Sequence, residues 1–565
     1  MLKRTAHAVI AGALALSTAA AALAVPAYAA SAAGGTAFAA DRTGGPRGGT
    51  VVRTDKGVVR GTLTGSARTF RGIPYAAPPT GARRWAAPAP AERWEGVRDA
   101  TGPGAACPQT GFLSPVGPAS DEEDCLFVNV TTPRAPSVRP RPVMLYLHGG
   151  DHTDGAGAMY GAERLAALGD VVVVTVNYRL GALGYLAHPD LEAGRGESGN
   201  YGFLDQQAAL RWVQRNARAF GGDPDRVTLF GQSAGGYSTC AHLAAPSSAG
   251  LFDRVILQSS PCTGPDGSRD RTEALADGTD AAEAIDAGAE VADWRTAAPE
   301  HLVNPFGEGP EYTPVYGGGL LPRTPGEAFA SGRFNKVPVL QGINRDEERA
   351  RVYGLELAKK RDTHDPDARL DETDRLEVLE DTFGKERAAV VAAQYPASAY
   401  GGSPGLALAA ALTDGNWARH SVETGRALSR HVPTYTYEFA ERTTPWYSDP
   451  QFPKPGFETG AGHTFELPYL FEADAYEKLT PRQQGLSAEM IAVWADFART
   501  GTAGWKATTP SAPNAQSLAS GPGGIHPVDF AGDHRYAFWK SLEPRQPATG
   551  INTLLQNGVD QQPAE

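Results

Sequence analysis

The sequence predicts an α/β chain: a mostly parallel central sheet flanked by helices, with cap insertions above it. Three observations carry this. Val143 to Leu147 (VMLYL) and Val171 to Val176 (VVVVTV) are continuous apolar runs, the composition of strands covered on both faces. Asp205 to Ala219 spaces Ala209, Trp212, Val213 and Ala217 for a helix with one apolar face. Between such runs, Val227, Leu229 and Phe230 lead through Gly231-Gln232-Ser233-Ala234-Gly235 into a helix-permissive stretch, Tyr237 to Ala245. Strand, sharp turn and helix form the context in which G-x-S-x-G exposes a nucleophilic serine. There the Ala234 N–H and the helix dipole face the space where an oxyanion would form.

In chain order, Lys3 and Arg4, the apolar stretch Ala8 to Val25 and the small residues of Pro26-Ala27-Tyr28-Ala29 read as a secretory signal over 1–29. Residues 30–49 read as a flexible leader, 50–550 as a single catalytic domain and 551–565 as a tail. The 52 basic and 64 acidic residues give −12, and −14 without Lys3 and Arg4. Such acidity argues against nucleic acid or anionic membranes as partners. No later stretch approaches the length of a membrane span, and the expected location is outside the cell by the general export route. The oligomeric state is left open.

Four cysteines remain in what is then an oxidising compartment. Cys107 and Cys125 enclose 17 residues, a loop whose closure is worth roughly 3 kcal/mol in the chain-entropy model. Cys240 and Cys262 are the candidate second bridge, although the sequence permits three pairings.

Thr50 to Leu63 alternates as a small antiparallel edge does. Phe70 to Pro90, rich in Pro and Gly, reads as an ordered surface loop. A strand follows Glu123-Asp124-Cys125, and Val255 to Gln258, Val337 to Ile343 and Tyr435 to Phe439 continue the sheet. Segments 263–310 and 353–430, acidic and Ala-rich, supply the cap.

Several of these stretches together resemble a known family. EDCLFVNV (Glu123 to Val130), LHGG (Leu147 to Gly150), GNYGFLDQQAALRWVQRNARAFGGDP (Gly199 to Pro224), GQSAGG, GINRDE (Gly342 to Glu347), GAGHTFELPYLF (Gly460 to Phe471) and VWADFARTG (Val493 to Gly501) occur in the order found in type-B carboxylesterases of the cholinesterase/lipase family. The resemblance covers nearly the whole chain after the leader and implies the α/β-hydrolase fold. It implies Ser233 as nucleophile, Glu347 as the acid with Asp346 as runner-up, and His463 as the base, in the chain order of such hydrolases. Glu348, just beyond, reads as a solvated charge. By position the amides of Gly150 and Asp151 join Ala234 as oxyanion donors. Here the chain departs from the family, which has Gly or Ala in place of Asp151 and an aromatic in place of His152. The expectation is that the Asp151 amide serves while its carboxylate faces solvent or a local partner such as His152.

The implied chemistry is hydrolysis of small to medium acyl esters through an acyl-serine, with no metal or organic cofactor; neither an HExxH pattern nor a zinc spacing occurs. The first cysteine loop has Phe112 and no Trp, which argues against an aromatic choline site. Trp417, Trp446, Tyr447, Phe465 and Phe471 are candidates for a pocket wall and, as aromatics of a large domain, for core. The same machinery serves amides, carbamates or lactones. A silent binding protein or an interfacial lipase are the other readings, the first disfavoured by the retained Ser, Glu and His, the second by the acidic insertions.

Overall fold

In a computed structural model, residues 49–111, 117–192, 197–265, 267, 269–285, 294–302, 312–450 and 452–543 are described. The signal segment, all of the leader but Gly49, Phe112 and the tail 551–565 lie outside them.

The strands are β1 (Val51–Arg53), β2 (Val58–Arg60), β3 (Thr62–Thr64), β4 (Ala67–Pro74), β5 (Val97–Asp99), β6 (Phe127–Pro133), β7 (Arg141–Leu147), β8 (Val172–Val176), β9 (Gly222–Gln232), β10 (Arg254–Gln258), β11 (Arg269–Asp270), β12 (Val315–Tyr316), β13 (Val339–Asn344), β14 (Thr434–Phe439), β15 (Ala515–Leu518) and β16 (His526–Val528). An 11-stranded sheet runs β16-β15-β14-β13-β10-β9-β7-β8-β6-β4-β3. Its members from β15 to β8 are parallel, and β16 at one edge and β6, β4 and β3 at the other are antiparallel. The central strands β7, β8 and β13 are buried along their whole length, as the apolar runs within β7 and β8 require of a sheet covered on both faces. β1 and β2 pair antiparallel in a separate small sheet with β5, in keeping with the alternation of Thr50 to Leu63.

Helices Tyr201–Asn216, Ala234–Ala244 and Pro481–Thr500 flank the sheet. One apolar cluster joins Leu145, Val174, Trp212, Leu229 and Val255, and another joins Tyr146, Phe230, Tyr437, Trp494 and Phe471. The first of these helices starts earlier than its apolar spacing suggests. Gly202 permits this, since a Cβ there would lie 2.5 Å from the Arg179 carbonyl oxygen. The expected loop from Phe70 to Pro90 is corrected at its start: Phe70 to Pro74 belong to β4, paired with β6 across a register shift between Phe70 and Ile73. The bulge accommodates the Gly, and Pro74 sits at the strand end, where a missing N–H is tolerated. Farther along that stretch Thr80 to Arg83 and Pro90 are exposed, as a surface loop requires, while Arg84 and Trp85 turn inward, Trp85 to 2 % exposure.

Both cysteine pairs are bonded, Cys107 to Cys125 with Cα atoms 4.9 Å apart and Cys240 to Cys262 with Cα atoms 5.6 Å apart. The second ties the helix after Ser233 to the loop after β10.

One buried ion cluster ties the segment around Asp414 to β14 of the sheet. His534 contacts Asp414 through Nδ1 (2.5 Å) and Glu438 of β14 through Nε2 (2.8 Å). Burial opposes the imidazolium, but hydrogen bonds and charge from the two carboxylates outweigh it and raise the His534 pKa from 6.5 to about 10. The folded state therefore binds this proton more tightly than the unfolded one. Its stabilisation is complete below pH 6.5 and is lost as pH rises to about 10. His534→Gln is expected to cost about 3 kcal/mol at neutral pH, by leaving buried Glu438 without its cation while Asp414 keeps only Arg535 and the Tyr395 hydroxyl. Melting curves across that range should show the wild type falling toward the variant; parallel curves would refute the linkage.

Candidate active site

β9 delivers its last residue, Gln232, to the carboxyl edge of the sheet, and the chain reverses into the helix Ala234–Ala244 through Ser233. Ser233 takes φ +53° and ψ −126°, a strained conformation for a non-glycine residue, costing about 1–3 kcal/mol. Its N–H donates to the Gln258 carbonyl of β10 (2.9 Å), which over-determines the turn. The spacing of the glycines has a steric cause. A Cβ at Gly231 would lie 2.3 Å from the Gly235 oxygen, and one at Gly235 would lie 2.0 Å from the Leu147 oxygen of β7. Only a pair of glycines lets the helix start this close to two strands.

Glu347 follows β13 and is 1 % exposed. The Asn344 N–H donates to its Oε1 (2.8 Å), and its Oε2 lies 2.6 Å from His463 Nδ1. The His463 N–H donates to the Glu347 carbonyl (3.1 Å), so backbone and side chain both fix the imidazole. Burial would lower the His463 pKa, but the charge of Glu347 and its hydrogen bond prevail and raise it above 6.5. With Nδ1–H given to the carboxylate, Nε2 is the lone pair. It accepts from Gln232 Nε2 (3.2 Å), on the residue just before Ser233. Carboxylate, imidazole and serine turn are thus brought to one place. The alternative acid, Asp346, is engaged elsewhere. Its Oδ2 accepts the Ala461 N–H (3.0 Å) and it pairs with Arg349 (3.0 Å), pinning the histidine loop. Glu348 corrects the sequence expectation. It is 3 % exposed and accepts from Trp417 Nε1 (2.6 Å), whose ring lies 4.9 Å from that of His463.

Behind these residues lies a polar network to which the sequence reading assigns no role, although Asn344 and Glu466 stand within GINRDE and GAGHTFELPYLF. Fully buried Glu466 accepts from Asn344 Nδ2 (2.8 Å) and from Gln258 Nε2 (3.1 Å). Asn344 also donates to the Gly462 carbonyl (2.7 Å) beside His463. Glu466 thereby connects the strand that orients Ser233 to the loop that carries His463. Burial, and secondarily the charge of Glu347, raise its pKa to about 7 although the Asn344 bond opposes this. The signal that could have found it is its position three residues after His463 in GHTFELPY, an acid inside an apolar stretch.

The loop after β7 lies against the serine: a Cβ on Gly149 would be 3.1 Å from Ser233 Cβ. The Gly150 carbonyl accepts from the N–H groups of Thr153 and Asp154 (both 2.9 Å), closing a tight turn through Asp151 (φ +50°) and His152 (φ +58°). Among the described residues the amides of Gly150, Asp151 and Ala234 donate no hydrogen bond. They remain available to an external acceptor. Asp151 is exposed, whereas His152 is buried, with Nε2 at 3.0 Å from Ser238 Oγ and its pKa lowered by burial to about 4. His152 is therefore neutral, although the nearby charge of Asp151 works against burial and favours its protonated form.

Of the aromatic candidates, Trp417 flanks the site, whereas Trp446, Tyr447 and Phe465 pack on one another and Phe471 packs on Tyr146 (4.7 Å). Among the described residues no group of three His, Cys, Asp or Glu side chains is arranged to hold a metal ion.

A family model described as "Carboxylesterase family" matches residues 48–528. Para-nitrobenzyl esterase of Bacillus subtilis (strain 168) is 36% identical over 480 residues, 80% of this chain and 90% of that protein. Cocaine esterase of Homo sapiens is 35% identical over 472 residues, covering 78% of this chain and 81% of that one. Among solved structures, a PNB esterase superposes with a TM-score of 0.70 at 32% identity, covering 87% of this chain and 99% of the other.

Proposed function

The chain belongs to the carboxylesterase family, a group of carboxylic-ester hydrolases with the α/β-hydrolase fold, and we propose that it cleaves small to medium acyl esters through an acyl-serine on Ser233. In this reading Ser233 Oγ attacks the ester carbonyl as His463 Nε2 takes its proton, displacing the amide of Gln232. Glu347 holds the tautomer and balances the imidazolium. The amides of Gly150, Asp151 and Ala234 receive the oxyanion, and the alcohol leaves with the proton from His463. Water, activated by the same nitrogen, then releases the acid. The observation that carries the proposal is the 2.6 Å contact between Glu347 and His463, with the remaining ring nitrogen turned to the residue beside the strained Ser233.

The two disulfides support an extracellular location for the working protein. No helix among the described residues is long and apolar enough to cross a membrane. Hydrolysis of p-nitrophenyl esters from acetate to palmitate tests the acyl range: turnover should peak at short to medium chains. A maximum at palmitate, rising with interface, would favour a lipase instead.

A further inference from the structure

Asp151 sets a carboxylate in the loop that would bind the oxyanion. The loop gives it little freedom. Gly149 is packed against Ser233, Gly150 closes the turn with two hydrogen bonds, and the next side chain, His152, is buried against Ser238 and 4.8 Å from the Tyr185 ring. Asp151, in a left-handed conformation that an aspartate tolerates better than most residues, is left outside, exposed. Among the described residues its charge acts on the buried imidazole of His152, which burial keeps neutral, so no cation balances it there. Arg351, which acts electrostatically on His463, is bridged to Glu348 at 3.4 Å. The nearby imidazole of His152 is neutral, its pKa lowered by burial to about 4.

An unneutralised carboxylate on a residue whose own amide is an oxyanion donor opposes the charge that forms in the transition state of a neutral ester. A positive group on the substrate removes that opposition and adds an attraction of its own. Resting on the acyl-transfer mechanism proposed above, we propose that Asp151 is a specificity-determining residue that selects esters bearing a cationic group near the scissile bond. The recognition is by charge, so it requires no aromatic cage. With separations of several ångströms and a partly solvated path, the attraction amounts to roughly a tenfold preference.

The probes are a pair of equal shape, 2-(trimethylammonio)ethyl butyrate and 3,3-dimethylbutyl butyrate, which differ in charge alone. The ratio of their kcat/KM values is the readout, and it cancels any change in oxyanion binding common to both. For the wild type the ratio is expected to favour the cation about tenfold at low salt, and to approach one in Asp151→Asn. In the wild type alone it should also shrink between about 0.01 and 0.5 M salt, as the screening length falls from about 30 Å to a few ångströms. A ratio near one in the wild type, or one that Asp151→Asn and salt leave unchanged, overturns the proposal while leaving ester hydrolysis intact. If the wild type cleaves neither ester, the acyl-transfer mechanism falls and this proposal with it.

Discussion

Ser233→Ala is expected to lower kcat for p-nitrophenyl butyrate by about five to six orders of magnitude, the largest loss any single change should produce here. The serine is the only atom donor for the covalent step, and the Ala234 amide, Gly150 and Asp151 have nothing to stabilise until its oxygen has attacked. A residual rate above that in water would remain, because the donors still polarise a bound ester toward direct attack by solvent. Folding should survive. The backbone of the turn is held by the Gln258 contact and by the close approach of Gly231 and Gly235, none of which uses the hydroxyl. Unchanged melting with abolished turnover is the expected pair of results; a variant retaining more than about a hundredth of the activity would contradict the assignment.

Glu347→Gln should cost about four orders of magnitude in kcat, with a second signature in pH. The base must be neutral to take the Ser233 proton, so activity is lost as pH falls through the His463 pKa. In the wild type Glu347 raises that pKa above 6.5 despite burial, placing the acidic limb above 6.5. Removing the charge leaves burial as the main influence, and burial lowers the pKa. The limb of the residual activity should therefore move below 6.5. A purely structural role for Glu347 would reduce the rate without that shift. Asp346→Asn provides the contrast: it would loosen the Ala461 and Arg349 contacts but should leave the limb where it is.

The site was legible in the sequence where its chemistry is imposed by local backbone geometry. Gly231 and Gly235 are spaced by the collision their side chains would cause, and Ser233 between them is recognisable for that reason. His463 and Glu347 stand in short motifs, so their pairing followed from the family resemblance rather than from any periodicity. The residues that stayed hidden depend on partners distant in the chain. Glu348 looks like one of a run of charges, and its burial is decided by Trp417, 69 residues later. Glu466 looks like a helix-friendly acid until Gln258, 208 residues earlier, is found to donate to it. In the fold, β7 and β8 announced themselves by continuous apolar runs, whereas β4 was hidden by Gly72 and Pro74 and revealed by its ladder with β6. The short strands β15 and β16, whose sequences AQSL and HPV carry no apolar pattern, exist because β14 offers β15 a partner and β15 in turn offers one to β16.

The most direct test of a Ser233-centred covalent mechanism is the mass of the protein after exposure to diethyl p-nitrophenyl phosphate. In that reaction Ser233 Oγ forms a bond to phosphorus, p-nitrophenolate leaves, and the phosphoryl group stays on the enzyme. One diethylphosphoryl adduct per chain is expected, carried by the peptide that contains Ser233, released with one equivalent of p-nitrophenolate and absent from Ser233→Ala. An adduct mapped to any other residue, or full inactivation with Ser233 unmodified, would contradict the mechanism.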